Sequence, residues 1–211
     1  MKKILISLVT IIVLVMMMLP MAIPTPVLAA DTLTLRPDGT SDEDLYDTPG
    51  SGDNHTYVSE VSADGDTTYV HTTSSSWKRD RYTLSDTSQT GTINSVTVYI
   101  VAKRQSGGTQ ASARTYLRTG GDTFYGAEET LTTSYATYST AYAVNPDTTN
   151  AWTWSEINDL QAGVRLRRAG SSGWPSYTSY YSRCTQVYVV VDYTYVPPPA
   201  HRHHQPGWRS G

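Results

Sequence analysis

The feature that most restricts the fold is a rhythm of two in residues 185–195, where Val187, Val189, Val191, Tyr193 and Tyr195 fall on one side of an extended chain and Tyr188 and Val190 stiffen the other. Side chains alternate across a strand, so this run needs a sheet with a packed face. Apolar residues on both sides place it in the middle of that sheet rather than at an edge. The same period appears in residues 93–104, where Val96, Val98, Ile100 and Ala102 lie opposite Thr97, Tyr99, Val101 and Lys103. It recurs in residues 111–119, with Ala113, Thr115 and Leu117 inward and Arg114, Tyr116 and Arg118 outward. Shorter strands are expected over 31–36, 68–73, 78–85, 128–133, 135–144 and 164–168, separated by turns at Gly107-Gly108, Gly120-Gly121-Asp122 and Asn145-Pro146-Asp147.

One short helix is expected near 155–161, capped by Ser155, with Trp154, Ile157 and Leu160 on one face. About eight to ten strands with one small helix describe an all-β, antiparallel β-sandwich of jelly-roll type. An immunoglobulin-type sandwich is the alternative, weakened because Cys184 is the single cysteine and no paired cysteines exist. The same count rules out a disulfide framework and a cysteine-based zinc site.

Lys2 and Lys3, an apolar run to Leu19, and a small-residue exit at Val27-Leu28-Ala29-Ala30 have the order of a cleavable export signal. Residues 1–29 are therefore expected to be a signal peptide, with a retained membrane anchor as the alternative. Residues 30–196 form the domain. Pro197-Pro198-Pro199 opens a stiff linker into a His- and Arg-rich tail, 197–211, in which no apolar period survives. The expected location is secreted or extracellular, associated with a cell surface.

The whole chain has a net charge of −3, and losing Lys2 and Lys3 takes it to −5, which disfavours nucleic acid and anionic membranes as partners. Lys78, Arg79 and Arg81, and Arg165, Arg167 and Arg168, are expected as strand surface rather than a phosphate track. Sixteen Tyr and five Trp against one Phe favour half-buried faces and recognition patches over a dry core. Trp77, Trp152 and Trp154 are expected in core or helix packing.

Catalytic patterns are weak. There is no Gly-x-Ser-x-Gly motif, only His55 and His71 fall within the domain, and adjacent Glu128 and Glu129 point to opposite sides of a strand. Residues 37–66 hold many carboxylates and no Lys or Arg. Within them Asp38, Asp42, Asp64 and Asp66 are candidate ligands for a structural Ca²⁺, and Tyr57, Val58 and Val61 offer an apolar patch that ties the segment down. The loop after Gly170 sets Trp174, Tyr177, Tyr180 and Tyr181 among small polar residues, a composition suited to stacking on sugar rings.

The helix motif Trp154-Ser155-Glu156-Ile157-Asn158-Asp159-Leu160, the following Gly163-Val164-Arg165-Leu166 and the closing strand Val187-Tyr188-Val189-Val190-Val191-Asp192-Tyr193-Thr194-Tyr195 together resemble jelly-roll modules of secreted and phage-associated surface proteins. Those modules are similar to non-catalytic carbohydrate-binding domains, and the resemblance implies binding rather than catalysis. The expected function is a secreted, non-enzymatic module that contacts a polysaccharide or surface protein through exposed Tyr and Trp. Two alternatives stand beside it. One is a structural subunit of an extracellular layer or filament, a homo-oligomer in which residues 31–36 add a strand to a neighbour's sheet; the other is a polysaccharide-active enzyme.

Overall fold

A computed structural model describes residues 29–48, 50, 52–105, 110–168 and 181–195. Within them lie β1 (Ala29–Leu35), β2 (Pro37–Glu43), β3 (Tyr46–Thr48), a 3-10 turn (Asn54–Tyr57), β4 (Tyr69–Thr72), β5 (Lys78–Leu84) and β6 (Thr92–Arg104). They are followed by β7 (Ala111–Thr119), β8 (Asp122–Tyr125), β9 (Glu129–Thr130), β10 (Ala136–Tyr142), α1 (Trp154–Asn158), β11 (Gln161–Arg168) and β12 (Ser182–Tyr195).

Two antiparallel six-stranded sheets face each other. The first has the order β10-β6-β12-β4-β3, with β1 also paired to β12; the second has the order β2-β5-β11-β7-β8, with β9 also paired to β7. The last strand lies between β4 and β6, and β11 lies between β5 and β7, so late strands fill the gaps left by early ones in both sheets. That interleaving is the jelly-roll topology, and it confirms the sandwich expected from the sequence. The described residues carry twelve strands rather than eight to ten.

β12 is the centre the sequence called for. Over its length it pairs with β6, while its other side meets β4 at Ser182–Cys184 and β1 from Val189 to Tyr195. Val187, Val189 and Val191 are fully buried, and so are Val96, Val98, Ile100 and Ala102 of β6. From the second sheet, Leu117, Ala162, Val164 and Leu166 close the core. Cys184 is equally buried, and that burial pushes its thiol up to about 12, so it packs as a small apolar residue. Residues 31–36 contain most of β1, which is already paired within its own chain.

Most differences from the sequence expectation fall in the acidic segment. No strand was expected within residues 37–66, yet β2 and β3 form there at the sheet edges. Edge strands accept proline and charge because one row of backbone groups faces solvent, and β2 accommodates its residues with register shifts at Pro37/Gly39 and Thr40/Asp42. Tyr57 and Val58 do tie the segment down, but Val61 is 81% exposed. The helix begins at Trp154 and ends at Asn158, earlier than the expected 155–161. Thr153 rather than Ser155 is the cap: its side chain accepts from the Glu156 N–H while Glu156 accepts from the Thr153 N–H, a reciprocal capping box. β11 begins at Gln161 and ends the helical run.

Candidate functional site

The outward face of the second sheet gathers more cationic and aromatic side chains than composition would suggest. Alternation along β5, β7 and β11 sends Asp80, Tyr82, Ala113, Leu117, Val164 and Leu166 into the core. The intervening residues, Arg79, Arg81, Arg114, Tyr116, Arg118, Arg165 and Arg167, therefore face out. Register then sets Arg165 directly opposite Arg79 on one side and Arg114 on the other, making a row of three guanidiniums across adjacent strands. A second row runs Arg81, Gly163, Tyr116, Tyr125.

Trp77, just before β5, is the hub of this face. The guanidinium carbons of Arg167, Arg114 and Arg165 lie 4.7, 5.0 and 5.3 Å from its ring centroid, and that of Arg165 lies 4.4 Å from the centroid of Tyr125. Contacts of this kind hold a cation by the negative face of the ring. Tyr116, edge-on to Tyr125 at 5.5 Å, shares a hydrogen bond of 3.1 Å with Thr123. Tyr125 is 38% exposed.

Two carboxylates pair with three of the six arginines, and a third carboxylate is held by a threonine of the same face. Asp42 pairs with Arg79 at 2.7 Å; Glu128 spans Arg114 and Arg167; Asp38 accepts a hydrogen bond from Thr83. Hydrogen bonds from Ser112 and then Arg167 hold the Glu128 carboxyl below the usual carboxylate range, so it stays ionised. Among the described residues no carboxylate pairs with Arg81, Arg118 or Arg165. Arg81 reaches the Ser41 hydroxyl at 3.3 Å and the Tyr116 hydroxyl at 3.5 Å, and Arg118 reaches the side-chain amide oxygen of Gln161 at 3.5 Å, while Arg165 meets, among the described residues, the two rings. The face is left with a surplus of positive charge and of N–H donors. At the end near α1, a hollow of about 320 Å³ is bounded by Arg118, Gly120, Gly121, Glu156 and Asp159.

The opposite face of the sandwich holds a different cluster. Tyr46, His71, Arg183 and Lys103 form a row across β3, β4, β12 and β6. Tyr181 lies edge-on to His71 at 4.7 Å, and Arg183 sits over Tyr69 at 4.5 Å. Both cations here are bound to Asp66, Lys103 at 2.6 Å and Arg183 at 2.9 Å, and the Tyr135 hydroxyl donates to it as well. Partial burial acts to raise the Asp66 carboxyl, and hydrogen bonds from Lys103, Arg183 and Tyr135 outweigh it and hold the group below its usual value. Burial, then Arg183, lowers the pKa of His71 and keeps the ring neutral.

Of the four aromatic residues singled out in the sequence, Tyr181 belongs to this second cluster, and Trp174, Tyr177 and Tyr180 lie outside the described residues. The four aspartates do not come together. Asp38 and Asp42 stand along β2, whereas Asp64 accepts from Thr68 and Thr185 beside β4 and Asp66 is engaged by two cations. No group of three or more His, Cys, Asp or Glu side chains is placed to hold a metal among the described residues. Trp152 is buried in the core, and Trp154 packs on Tyr193 at 5.2 Å. Trp77, expected with them, faces outward instead. Its odd numbering in phase with Arg79 and Arg81 was the available signal.

No family model matches the chain, and no curated protein matches it. Among solved structures it is similar to the CBM22-1 xylan-binding domain from Paenibacillus barcinonensis Xyn10C, with 16% identity, 77% of this chain and 96% of that one covered, and a TM-score of 0.38. It is also similar to a family 16 carbohydrate-binding module, with 8% identity over 60% of this chain and 78% of that one and a TM-score of 0.33. A third likeness is to a chain of Broad Bean Stain Virus, with 14% identity over 86% of this chain and 97% of that one and a TM-score of 0.27.

Proposed function

We propose that this protein is an exported, non-catalytic carbohydrate-binding module whose recognition surface is the outward face of β5, β11 and β7. The observation that carries the reading is the half-buried Trp77 set among three guanidiniums, continuous with exposed Tyr125. Aromatic rings pack on the C–H faces of sugars, and guanidinium edges donate to hydroxyl and ring oxygens. An open, rigid sheet face presents both without needing a cleft. The leader-like first 29 residues support export, and a polysaccharide outside the cell is the matching partner. The loop aromatics Trp174, Tyr177, Tyr180 and Tyr181 offer a second contact of the same chemistry.

A glycan array probed with the purified protein, with and without Ca²⁺, tests the proposal. Trp77→Ala should weaken the strongest array signal about tenfold or more, the range expected from losing an aromatic contact at a binding hot spot. Trp174→Ala in parallel tells the sheet face from the loop. An unaltered signal in Trp77→Ala together with loss in Trp174→Ala would move the site to the loop. Turnover of any bound polysaccharide would overturn the non-catalytic assignment.

A further inference from the structure

Three arginines stand side by side in the row Arg79, Arg165, Arg114, where like charges directly across a sheet repel. Their outer members are compensated by Asp42 and Glu128, but among the described residues the central one meets no carboxylate. Among the described residues Arg165 is steadied by the rings of Trp77 and Tyr125 alone, which orient a guanidinium without cancelling its charge. The Nε atoms of Arg114, Arg165 and Arg167 are covered and lack an acceptor among the described residues, so donors outnumber acceptors in the middle of the face. All of this occurs in a chain whose net charge is −3, with six of its sixteen Lys and Arg residues collected on one sheet surface.

We propose that the ligand of this face is an acidic polysaccharide, with a carboxylate or sulfate group bound at Arg165. The inference rests on the carbohydrate-binding reading and adds the charge of the ligand to it. Planar guanidiniums match the geometry of carboxylate and sulfate oxygens, and a pair of N–H donors can meet two oxygens at once. Adjacent strands stand about 4.8 Å apart, so the row spans on the order of 10 Å, the scale of two linked sugars. Trp77 and Tyr125 sit beside the same cation and provide the rings for sugar packing. Nucleic acid fits less well. The uncompensated positive charge is confined to a short row across three strands rather than drawn out as a track that follows a phosphate backbone, and the rest of the chain is acidic.

Calorimetric titration of the purified protein with polygalacturonate, dextran sulfate, neutral xylan and a single-stranded oligonucleotide provides the test. Polygalacturonate or dextran sulfate should bind at least tenfold more tightly than xylan, and added salt should weaken that binding. Arg165→Gln should reduce it about tenfold or more while leaving the unfolding midpoint close to that of the parent. Should Arg165→Gln fail to fold, Arg165→Lys and Arg81→Gln take its place: the first keeps the charge but loses the planar donors, and the second removes a neighbouring charge. Xylan bound in preference to both acidic polymers would overturn the inference and leave the carbohydrate-binding reading standing. No binding to any polysaccharide would overturn both. Preference for the oligonucleotide, or acidic-polymer binding indifferent to every one of these arginine variants, would also overturn it.

Discussion

Asp80 holds a carboxylate in the core with no exposure, and no ion pair among the described residues includes it. Four donors satisfy it: the backbone N–H groups of Asp44 at 2.8 Å and Leu45 at 2.9 Å, the Asn54 amide at 2.6 Å and the Tyr82 hydroxyl at 3.0 Å. It thereby pins the chain between β2 and β3 onto β5. Asp80→Asn keeps the shape but turns an amide N–H₂ toward groups that need an acceptor, and should lower the unfolding free energy by about 3 kcal/mol in urea titrations. Burial lifts the Asp80 carboxyl above the usual range and outweighs those four hydrogen bonds. With the folded pKa above the unfolded one, the folded state holds the extra proton. This residue's contribution is therefore full below the ordinary carboxylate value near 3.9 and is lost as pH rises through the raised one. Melting midpoints of the parent across that window should fall with rising pH more steeply than those of Asp80→Asn. Glu128 has the opposite sign: its pKa is lowered, so what it contributes is lost as pH falls through that lowered value.

At the level of elements, Gly163 shows how close β11 and β5 approach. A Cβ at this position would run into the Asp80 carbonyl oxygen. Gly163→Ala must push the two strands apart, and should cost about 1–3 kcal/mol by denaturant titration while also disturbing the arginine row that depends on their register. Thr153→Ala, which removes the cap of α1, should cost about 1 kcal/mol by the same measurement and leave ligand binding unchanged. These local devices divide what the sequence could disclose from what it could not. The alternation in β6, β7 and β12 was visible because each strand has one continuous apolar face, and the outward direction of Arg114, Tyr116 and Arg118 followed from it. β2 and β3 were hidden because an edge strand tolerates residues that elsewhere signal a turn. The site itself was illegible for another reason: Arg79, Arg165 and Arg114 become neighbours only through pairings between strands distant in the chain, and no pattern within one strand encodes that register.

For the molecule as a whole, β6 and β12 carry the common core of both sheets, with side chains buried along most of their length and partners on each side. Amide hydrogen exchange should therefore be slowest in these two strands and fastest in β2 and β3, whose outer edges are open. Deleting residues 29–35 would uncover the edge of β12 from Val189 to Tyr195. The shortened protein should melt at lower temperature and self-associate with rising concentration, measurable by light scattering, because an open valine-rich edge is a template for another strand. The position of β12 has a consequence in time as well. Its residues are the last of the sandwich to be synthesised, yet β4, β6 and β1 all wait for them. A chain still emerging from the ribosome can pair the strands of its second sheet, but its first sheet lacks a middle until residue 195 is out, so the closing of the sandwich waits for the end of the domain.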